Sequence, residues 1–402
     1  MVSNPKTLHI SFSTVGGAGV VAKELNRSLN TLGWNSEFRS LTDGDIRSVL
    51  LSHPKLFAES VIDYYLVRSD QSNSLFSLYR RGSVKSLIKL FTETNNLLHL
   101  HWTPGVINTR GFEFLNETNK KIVWTLHDMY PFTGGCHHAM DCEQFHNECT
   151  ECPQVRSVFQ SAVSRSQAAK KRSFGSLQKI ALVAPSMWLK NKAEMSNIFE
   201  GREIRVIPNP VDTDLFSPMQ QFRTEIRNKF VIGCSATNLN DPMKGIPIIC
   251  EAIKSVQQSL PHLSLELLAF GGGTIQSKDI KVRRPGLIQN RTDLASNYNE
   301  IDLFVSMSKA ESFGLSVAEA LSSGVPVICL NSGALPELIT HGTNGFIVES
   351  LPGLIRFMTY FFENQSELQS FSAAARTSSV NSFNNTVVAR QYMDLYQEIE
   401  SL

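Results

Sequence analysis

The chain has 402 residues, more than one hydrophobic core usually organises, and its 42% hydrophobic and 19% charged content is that of a globular protein, so two domains are expected. A formal net charge of +1 leaves no electrostatic footprint for nucleic acid, and no apolar run approaches the roughly 20 residues of a membrane-spanning helix. The N-terminal MVSNPKTLHISFSTVGG lacks a basic stretch followed by a long apolar one, so no signal peptide is expected; the seven cysteines then point to reduced thiols or metal ligands in the cytoplasm.

Leu8 to Ser13 reads as a buried first strand, and Gly16-Gly17-Ala18-Gly19 turns from it into a helix over Val20–Leu32. Gly17, Gly19 and Ala22 satisfy a dinucleotide fingerprint, with Asp43 at a suitable distance downstream. That keeps an NAD(P)-dependent oxidoreductase open as one function class, although glycine patterns this short recur by chance. Residues 54–91 mix apolar and basic groups, most densely over Leu75–Phe91. The mixture suits a packed helix pair with its cations in water, with Gly82 weakening a continuous helix. The same composition would serve a segment resting on the inner membrane.

Leu97–Trp102 and Lys121–Leu126 read as two further buried strands, each ending in a histidine-bearing turn, at His101 and His127. Ligands of open α/β sheets collect at the carboxyl ends of strands. A lone strand-end histidine is nevertheless more often structural, and His99 and His101 are read that way. Next come Cys136, Cys142, Cys149 and Cys152, spaced C-x5-C-x6-C-x2-C within a loop over 134–153. Four thiolates can close a tetrahedral zinc site, structural because no coordination position stays open. Unlinked buried thiols and a disulfide pair are the alternatives. Such a loop has few apolar residues to bury and needs a staple. Ser164–Lys179, with Arg165, Lys170, Lys171, Arg172 and Lys179, reads as a solvated helix face or a cationic rim for an anionic acceptor. Ala181–Ala184 is a strand.

The second half starts at Lys229. Phe230–Ala236 is a strand, Lys244-Gly245 precedes a helix over Ile248–Gln257, and Leu263–Ala269 and Ile280–Arg284 are strands around the Gly271-Gly272-Gly273 loop. Ile301–Met307 is a short buried strand. After it come Glu311, the loop Ser312-Phe313-Gly314, and an amphipathic segment with Leu315, Ala318, Glu319 and Leu321, closed by Gly324 and Pro326. Strand, glycine turn and helix start in that order make an anion site, where the amides of Gly314, Leu315 and Ser316 would point at a phosphate. Glu319, inside the helix, suits the vicinal hydroxyls of a ribose, and Glu311 would reach the group beyond the phosphates. Two solvated surface glutamates are the bland alternative.

ESFGLSVAEALSSGVPVI, with Gly333-Ala334-Leu335-Pro336-Glu337 and Asn344-Gly345-Phe346, closely resembles the donor-binding signature of glycosyltransferase family 4 over about a hundred residues. The resemblance implies an α/β chain of the GT-B type, two Rossmann-like domains facing across a cleft. Residues 1–207 would be the acceptor-side domain, 208–385 the donor domain and 386–402 a helix crossing back, with Val206–Asp212 as a hinge stiffened by two prolines. Glu311 would contact the donor sugar and Glu319 the ribose, alongside Ser312, Phe313, Gly314, Leu315 and Ser316. His127, in Thr125-Leu126-His127-Asp128, matches a histidine that contacts the donor sugar, and Gly17 and Gly19 would face the donor phosphate. The turn Pro285-Gly286-Leu287 sits where relatives hold the base.

Lys244 matches one of two cations that neutralise the diphosphate. The expected arginine is missing from Ser235–Asn240, leaving Asn238, or Arg283, Arg284 or Arg291, to substitute. Some bacterial members carry a similar Cys-rich loop after the HD-x-x-P-F-T-G-G turn. The implied activity is retaining transfer from a nucleotide diphosphate sugar to a glycan or lipid-linked glycan, without a catalytic metal, in exopolysaccharide, O-antigen, capsule or other lipopolysaccharide biosynthesis. The place would be the cytoplasm or the cytoplasmic face of the membrane. A noncatalytic sugar- or protein-binding relative is the other class.

Overall fold

The computed structural model describes residues 7–42, 61, 63, 65–67, 75–78, 97–117, 120–175, 177–219 and 228–401. The chain divides into two compact units, 1–208 with 388–402, and 209–387. Asp43 and residues 79–91 of the basic segment lie outside the described residues. Among the described residues, no helix is long and apolar enough to cross a membrane.

The first unit is built on six parallel strands: β1 (Thr7–Ser13), β2 (Ser36–Thr42), β3 (Leu97–Leu100), β4 (Lys121–Thr125), β5 (Ile180–Ala184) and β6 (Ile204–Val206), ordered β2-β1-β3-β4-β5-β6. Parallel strands need crossover connections. Here α1 (Gly17–Thr31), α2 (Thr109–Glu117), α3 (Gln160–Gly175) and α4 (Met187–Glu194) lie between them in sequence. Strand alternation divides the side chains. Leu8, Ile10, Leu98, Leu100, Ile122 and Trp124 enter one core. Leu97, Val123 and Val183 enter another, with Leu25, Leu29 and Trp34 and with Tyr392, Leu395, Tyr396 and Ile399 of the C-terminal helix, Asn385–Ser401.

The second unit repeats the plan with β7 (Lys229–Asn238), β8 (Ser264–Gly272), β9 (Lys281–Gly286), β10 (Leu303–Ser306), β11 (Val327–Leu330) and β12 (Gly345–Val348), ordered β12-β11-β10-β7-β8-β9. Its helices are α5 (Ile246–Ser259), α6 (Arg291–Tyr298), α7 (Leu315–Ser322), α8 (Leu351–Glu363) and α9 (Leu368–Phe383). Both sheets have the Rossmann-like doubly wound order. Each therefore has a point where the winding reverses, between β1 and β3 in the first and between β7 and β10 in the second. The crevice outside the carboxyl ends of such strands is where this architecture binds ligands.

Two sequence expectations change. The turn at Pro285-Gly286 is absorbed into β9, because residues 281–286 continue the pairing with β8. The stretch Ser164–Lys179 is not simply a solvated face: Lys170 of α3 is fully buried. It shares a helical face with buried Val163, Ser166, Gln167 and Phe174.

Candidate functional site

In the second unit, the segment after β7 meets the segment after β10. The short 3-10 turn Pro242–Lys244 accepts the Lys309 amide at the Met243 carbonyl, 2.8 Å away, which joins the two loops. Lys244 Nζ then donates to Glu311 Oε1 at 2.5 Å, with both side chains about a quarter exposed. Glu311 is also held through its backbone, its carbonyl accepting the Ala334 amide at 2.9 Å. Gly333 makes this approach feasible: its φ is +59°, and a Cβ there would stand 2.4 Å from the Glu311 carbonyl oxygen. The ion pair thus rests on a braced loop at the point where the sheet order reverses.

Gly314, at φ +95°, caps α7. The amides of Val317 and Ala318 return to its carbonyl at 3.0 and 3.1 Å. Those of Leu315 and Ser316, the first residues of the helix, have no intrahelical acceptor and point out of its start. One turn in, Glu319 is buried and accepts the Tyr298 hydroxyl at 3.2 Å. Burial pushes its carboxyl up to about 7, against the opposing pulls of Arg291 and Tyr298. Phe313 and Ser312 are both buried, whereas Leu287 is exposed just past β9. The site therefore combines outward amides, a lysine–glutamate pair and a buried acid poised between charge states, a set suited to an anionic, hydroxyl-bearing ligand.

The substitutes offered for the missing arginine separate clearly. Arg283 is engaged by Glu266 at 2.9 Å and Glu300 at 2.5 Å. Arg284 donates to the Gly273 carbonyl at 3.0 Å. Asn238 Oδ1 accepts the Asn240 amide at 3.0 Å, stiffening the β7 loop. Arg291, at the start of α6, faces Glu319 electrostatically and lies over the Phe216 ring, 5.2 Å from its centre. Sequence reasoning misses Tyr298; its spacing of seven from Arg291 on one short helix is the available signal.

In the first unit, His127 follows β4 and bonds through Nε2 to His101 Nδ1 at 3.0 Å. His101 Nε2 bonds in turn to His9 Nδ1 at 3.0 Å. His9 and His99 are register partners on β1 and β3. His99 is held by the Tyr396 hydroxyl at 2.6 Å and by Thr125 Oγ1 at 2.8 Å. These groups meet where this sheet's order reverses. Burial holds His127 at about 4, with Asp128 pulling weakly the other way, and His9 at about 3. Of the two histidines read as structural, His101 is hydrogen-bonded directly to His127, and His99 stacks on His101. The alternation His99-x-His101, aligned with His9, is the sequence signal for that link.

Gly17 opens α1 with open space on the side where a Cβ would stand, whereas a Cβ on Gly19 would lie 2.2 Å from the Ser13 carbonyl oxygen. Helix-on-strand packing therefore explains Gly19 without a ligand.

The turn after His127 is pinned from several sides. Asp128 binds His137 Nδ1 at 2.6 Å and the Tyr130 amide at 2.8 Å. Lys170 donates to the carbonyls of Tyr130 at 2.5 Å and Thr133 at 3.0 Å, and its ammonium stands 3.6 Å from the centre of the Tyr130 ring. Burial lowers Lys170 to about 7, opposed by Cys136, Cys149 and Asp128.

Cys136, Cys142, Cys149 and Cys152 line one cavity of about 10 Å³. Burial raises the thiols of Cys136, Cys149 (to about 12) and Cys152. Four sulfurs on one small cavity suit zinc in donor type. Among the described residues, however, the metal-capable trio within 4.8 Å is His9, His99 and His101, so the sulfurs would have to draw together around an ion. The loop is also held by two glutamines: Gln167 accepts the Cys149 amide and Gln160 the Cys152 amide, each at 2.6 Å.

Residues 229–361 match the family described as glycosyl transferases group 1. Over 81% of its length the chain is 23% identical to WcaC of Escherichia coli (strain K12), a glycosyl transferase named for colanic acid biosynthesis, covering 82% of that protein. It is 20% identical to N-acetyl-alpha-D-glucosaminyl L-malate synthase of Bacillus anthracis, covering 96% of this chain and 95% of that one. Among solved structures, Anabaena HepE in complex with UDP superposes with a TM-score of 0.64 at 16% identity, covering 98% of this chain and all of that one. These structural likenesses carry the fold, that of GT-B glycosyltransferases.

Proposed function

We propose, on the premise that this chain is a glycosyltransferase whose residues 229–361 form a group 1 glycosyl transferase domain, that it moves a sugar from a nucleotide diphosphate sugar to an acceptor hydroxyl with retention at the anomeric carbon. The observation that carries this reading is the braced Lys244–Glu311 pair at 2.5 Å beside the start of α7. Chemically, the reaction must stabilise a departing diphosphate and an oxocarbenium-like sugar. The outward amides of Leu315 and Ser316, with Lys244, address the first. Diphosphate would draw Lys244 away from Glu311, freeing that carboxylate to orient sugar hydroxyls. Glu319 would take the ribose, and Arg291, whose charge acts on Glu319, would supply the cation absent from Ser235–Asn240. His127 is assigned to the donor sugar from the family resemblance.

The acceptor we propose is a glycan or lipid-linked glycan of bacterial surface polysaccharide, handled in the cytoplasm or at the cytoplasmic face of the membrane. The relative named for colanic acid biosynthesis supports that class. The test is a thermal-shift panel of nucleotide diphosphate sugars, since a ligand that binds the folded state raises its melting temperature. It is followed by assay of nucleotide diphosphate release with glycan acceptors. A donor that binds yet never turns over would favour a noncatalytic binding protein, and no binding at all would sink both readings.

We also propose a structural zinc on Cys136, Cys142, Cys149 and Cys152. Buried Lys170, whose charge is coupled to Cys136 and Cys149, would balance part of a tetrathiolate's negative charge. Protein purified without added metal should hold near one zinc per chain, and Cys149→Ser should lower that content and destabilise the loop. Metal-free protein of unchanged stability after metal chelation would end the proposal.

A further inference from the structure

Four imidazoles cluster in the first unit, His9 and His99 from within β1 and β3 and His101 and His127 from the turns after β3 and β4, and three of them form a single hydrogen-bonded file. His9 Nδ1 meets His101 Nε2 at 3.0 Å, and His101 Nδ1 meets His127 Nε2 at 3.0 Å. His9 and His101 are essentially inaccessible, and His127 alone is partly exposed. The file therefore runs from the interior to the edge of the sheet where ligands of this architecture collect. At its inner end, His9 Nε2 is buried with no hydrogen-bond partner.

A neutral imidazole carries one N–H and one bare nitrogen, so each link fixes the next. Two directions are available. In one, His127 donates inward to His101, His101 donates to His9, and the proton of His9 is left on Nε2, an orphaned buried donor. In the other, His9 Nδ1–H donates to His101 Nε2 and His101 Nδ1–H donates to His127 Nε2. The orphan at His9 is then only a bare lone pair. Orphaned buried N–H groups are the rarer defect in folded proteins. That favours the second direction, which leaves the proton of His127 on Nδ1, where no described group takes it.

We infer that His101, oriented by His9, is a positioning residue that locks His127 in the neutral Nδ1–H tautomer and so presents a single uncharged N–H donor to a hydroxyl oxygen of the bound ligand. The identity of that oxygen as one of the transferred sugar rests on the function proposed above; the tautomer lock does not. Burial favours the neutral form throughout the file, with His9 held at about 3 and His127 at about 4. An uncharged donor suits a sugar hydroxyl beside a developing oxocarbenium ion, where an imidazolium would repel the growing positive charge. A metal ion is a poorer occupant of the cluster. Both ring nitrogens of His99 are engaged by hydroxyls and both of His101 by imidazoles, leaving no lone pairs there to converge on an ion.

The lock is read directly by two-bond proton–nitrogen NMR of the full chain labelled with 15N-histidine, at pH 7.5, where the two tautomers give different nitrogen shifts. In the unsubstituted protein, the resonance lost on His127→Gln should show the Nδ1–H form. In His101→Phe, the same residue should move to a dominant Nε2–H form, the tautomer free imidazole side chains prefer. His101→Asn should restore Nδ1–H, because an amide N–H can donate from the place of His101 Nδ1. A dominant Nε2–H form in the unsubstituted protein overturns the inference without any substitution at His101 having to fold. Retention of Nδ1–H in His101→Phe overturns it too, since something other than His101 would then set the proton. Absence of turnover with every donor, alongside the expected tautomers, would count against the glycosyl transfer reading alone.

Discussion

The two sheets share one winding pattern but furnish their reversal points in opposite ways. Between β1 and β3, the first unit places neutral bases, His9, His99 and His101, inside the protein and bonds them to one another and to the hydroxyls of Tyr396 and Thr125, with His9 Nε2 left over. Between β7 and β10, the second unit places Lys244 and Glu311 where solvent reaches both, and buries one acid, Glu319, behind them. The first arrangement is closed and tuned by burial. The second is an ion pair that an anionic ligand can reorganise. Strand order alone therefore locates a site without deciding its chemistry; the residues one or two places beyond the strand ends do that.

pH gives the largest expected separation. His9 and His127 are held at about 3 and 4, below the ordinary histidine value of 6.5, so in acid the unfolded chain binds protons that the folded chain refuses. Stability of the first unit is therefore intact above about pH 6.5 and falls as pH drops. At pH 5 each of these two histidines contributes a loss of about 2 kcal/mol, about 4 together. Glu319 works in the opposite sense: held at about 7 against an ordinary 4.5, it takes up a proton in the folded state first. The second unit should gain about 2–3 kcal/mol from it between pH 7.5 and pH 5. Hydrogen exchange read by peptide masses resolves the two units separately. Parallel acid responses in both units would break the comparison, and Glu319→Gln should flatten the response of the second alone.

The next effect is on turnover. Glu311→Gln keeps the side chain's shape and removes the charge that pairs with Lys244. If Glu311 orients the sugar at bond cleavage, turnover should fall by about 100-fold or more, the effect of losing one preorganised electrostatic group. Nucleotide diphosphate binding, measured by calorimetry, should not weaken, because the substitution removes a competitor for Lys244 and no contact to the diphosphate. Lys244→Ala should weaken binding and turnover together. Intact turnover in Glu311→Gln, with a donor that the protein accepts, would remove the ion pair from the chemistry.

Much of this contrast is legible in the sequence of the second unit and little of it in that of the first. Glu311, the glycine turn and Glu319 lie within nine consecutive positions of one strand–turn–helix, so local order suffices to place them. The imidazole file is assembled from β1 and the turns after β3 and β4, and His99 beside it is held by Tyr396 of the last helix, 297 residues away. No local pattern reports such a contact. Lys170 escapes for another reason: a cation among Arg165, Lys171 and Arg172 reads as solvated unless the helical face is traced through Val163, Gln167 and Phe174. The place of Glu319 within its helix follows from spacing, but its raised proton affinity comes from burial, which outweighs the opposing pulls of Arg291 and Tyr298 and which spacing does not show.

The smallest effect probes how closed the first site is. Tyr396 donates or accepts one hydrogen bond with His99 Nδ1 at 2.6 Å, and Tyr392 one with Thr125 Oγ1 at 2.8 Å. Both hydroxyls are buried, yet their removal should not cost the same. Tyr396→Phe strips His99 Nδ1 of its partner in a place water does not reach, so the loss includes the penalty of an orphaned polar atom, about 1–3 kcal/mol. Tyr392→Phe leaves Thr125 still bonded to His99 Nε2, so only one ordinary hydrogen bond is lost, about 0.5–1.5 kcal/mol. Denaturant unfolding followed by exchange in β3 and the C-terminal helix would measure both. Equal losses, or a larger loss in Tyr392→Phe, would mean that the cavity left at Tyr396 admits water to His99. In that case the reversal point of the first sheet is open to solvent like that of the second, and the contrast between them narrows to the sign of their charges.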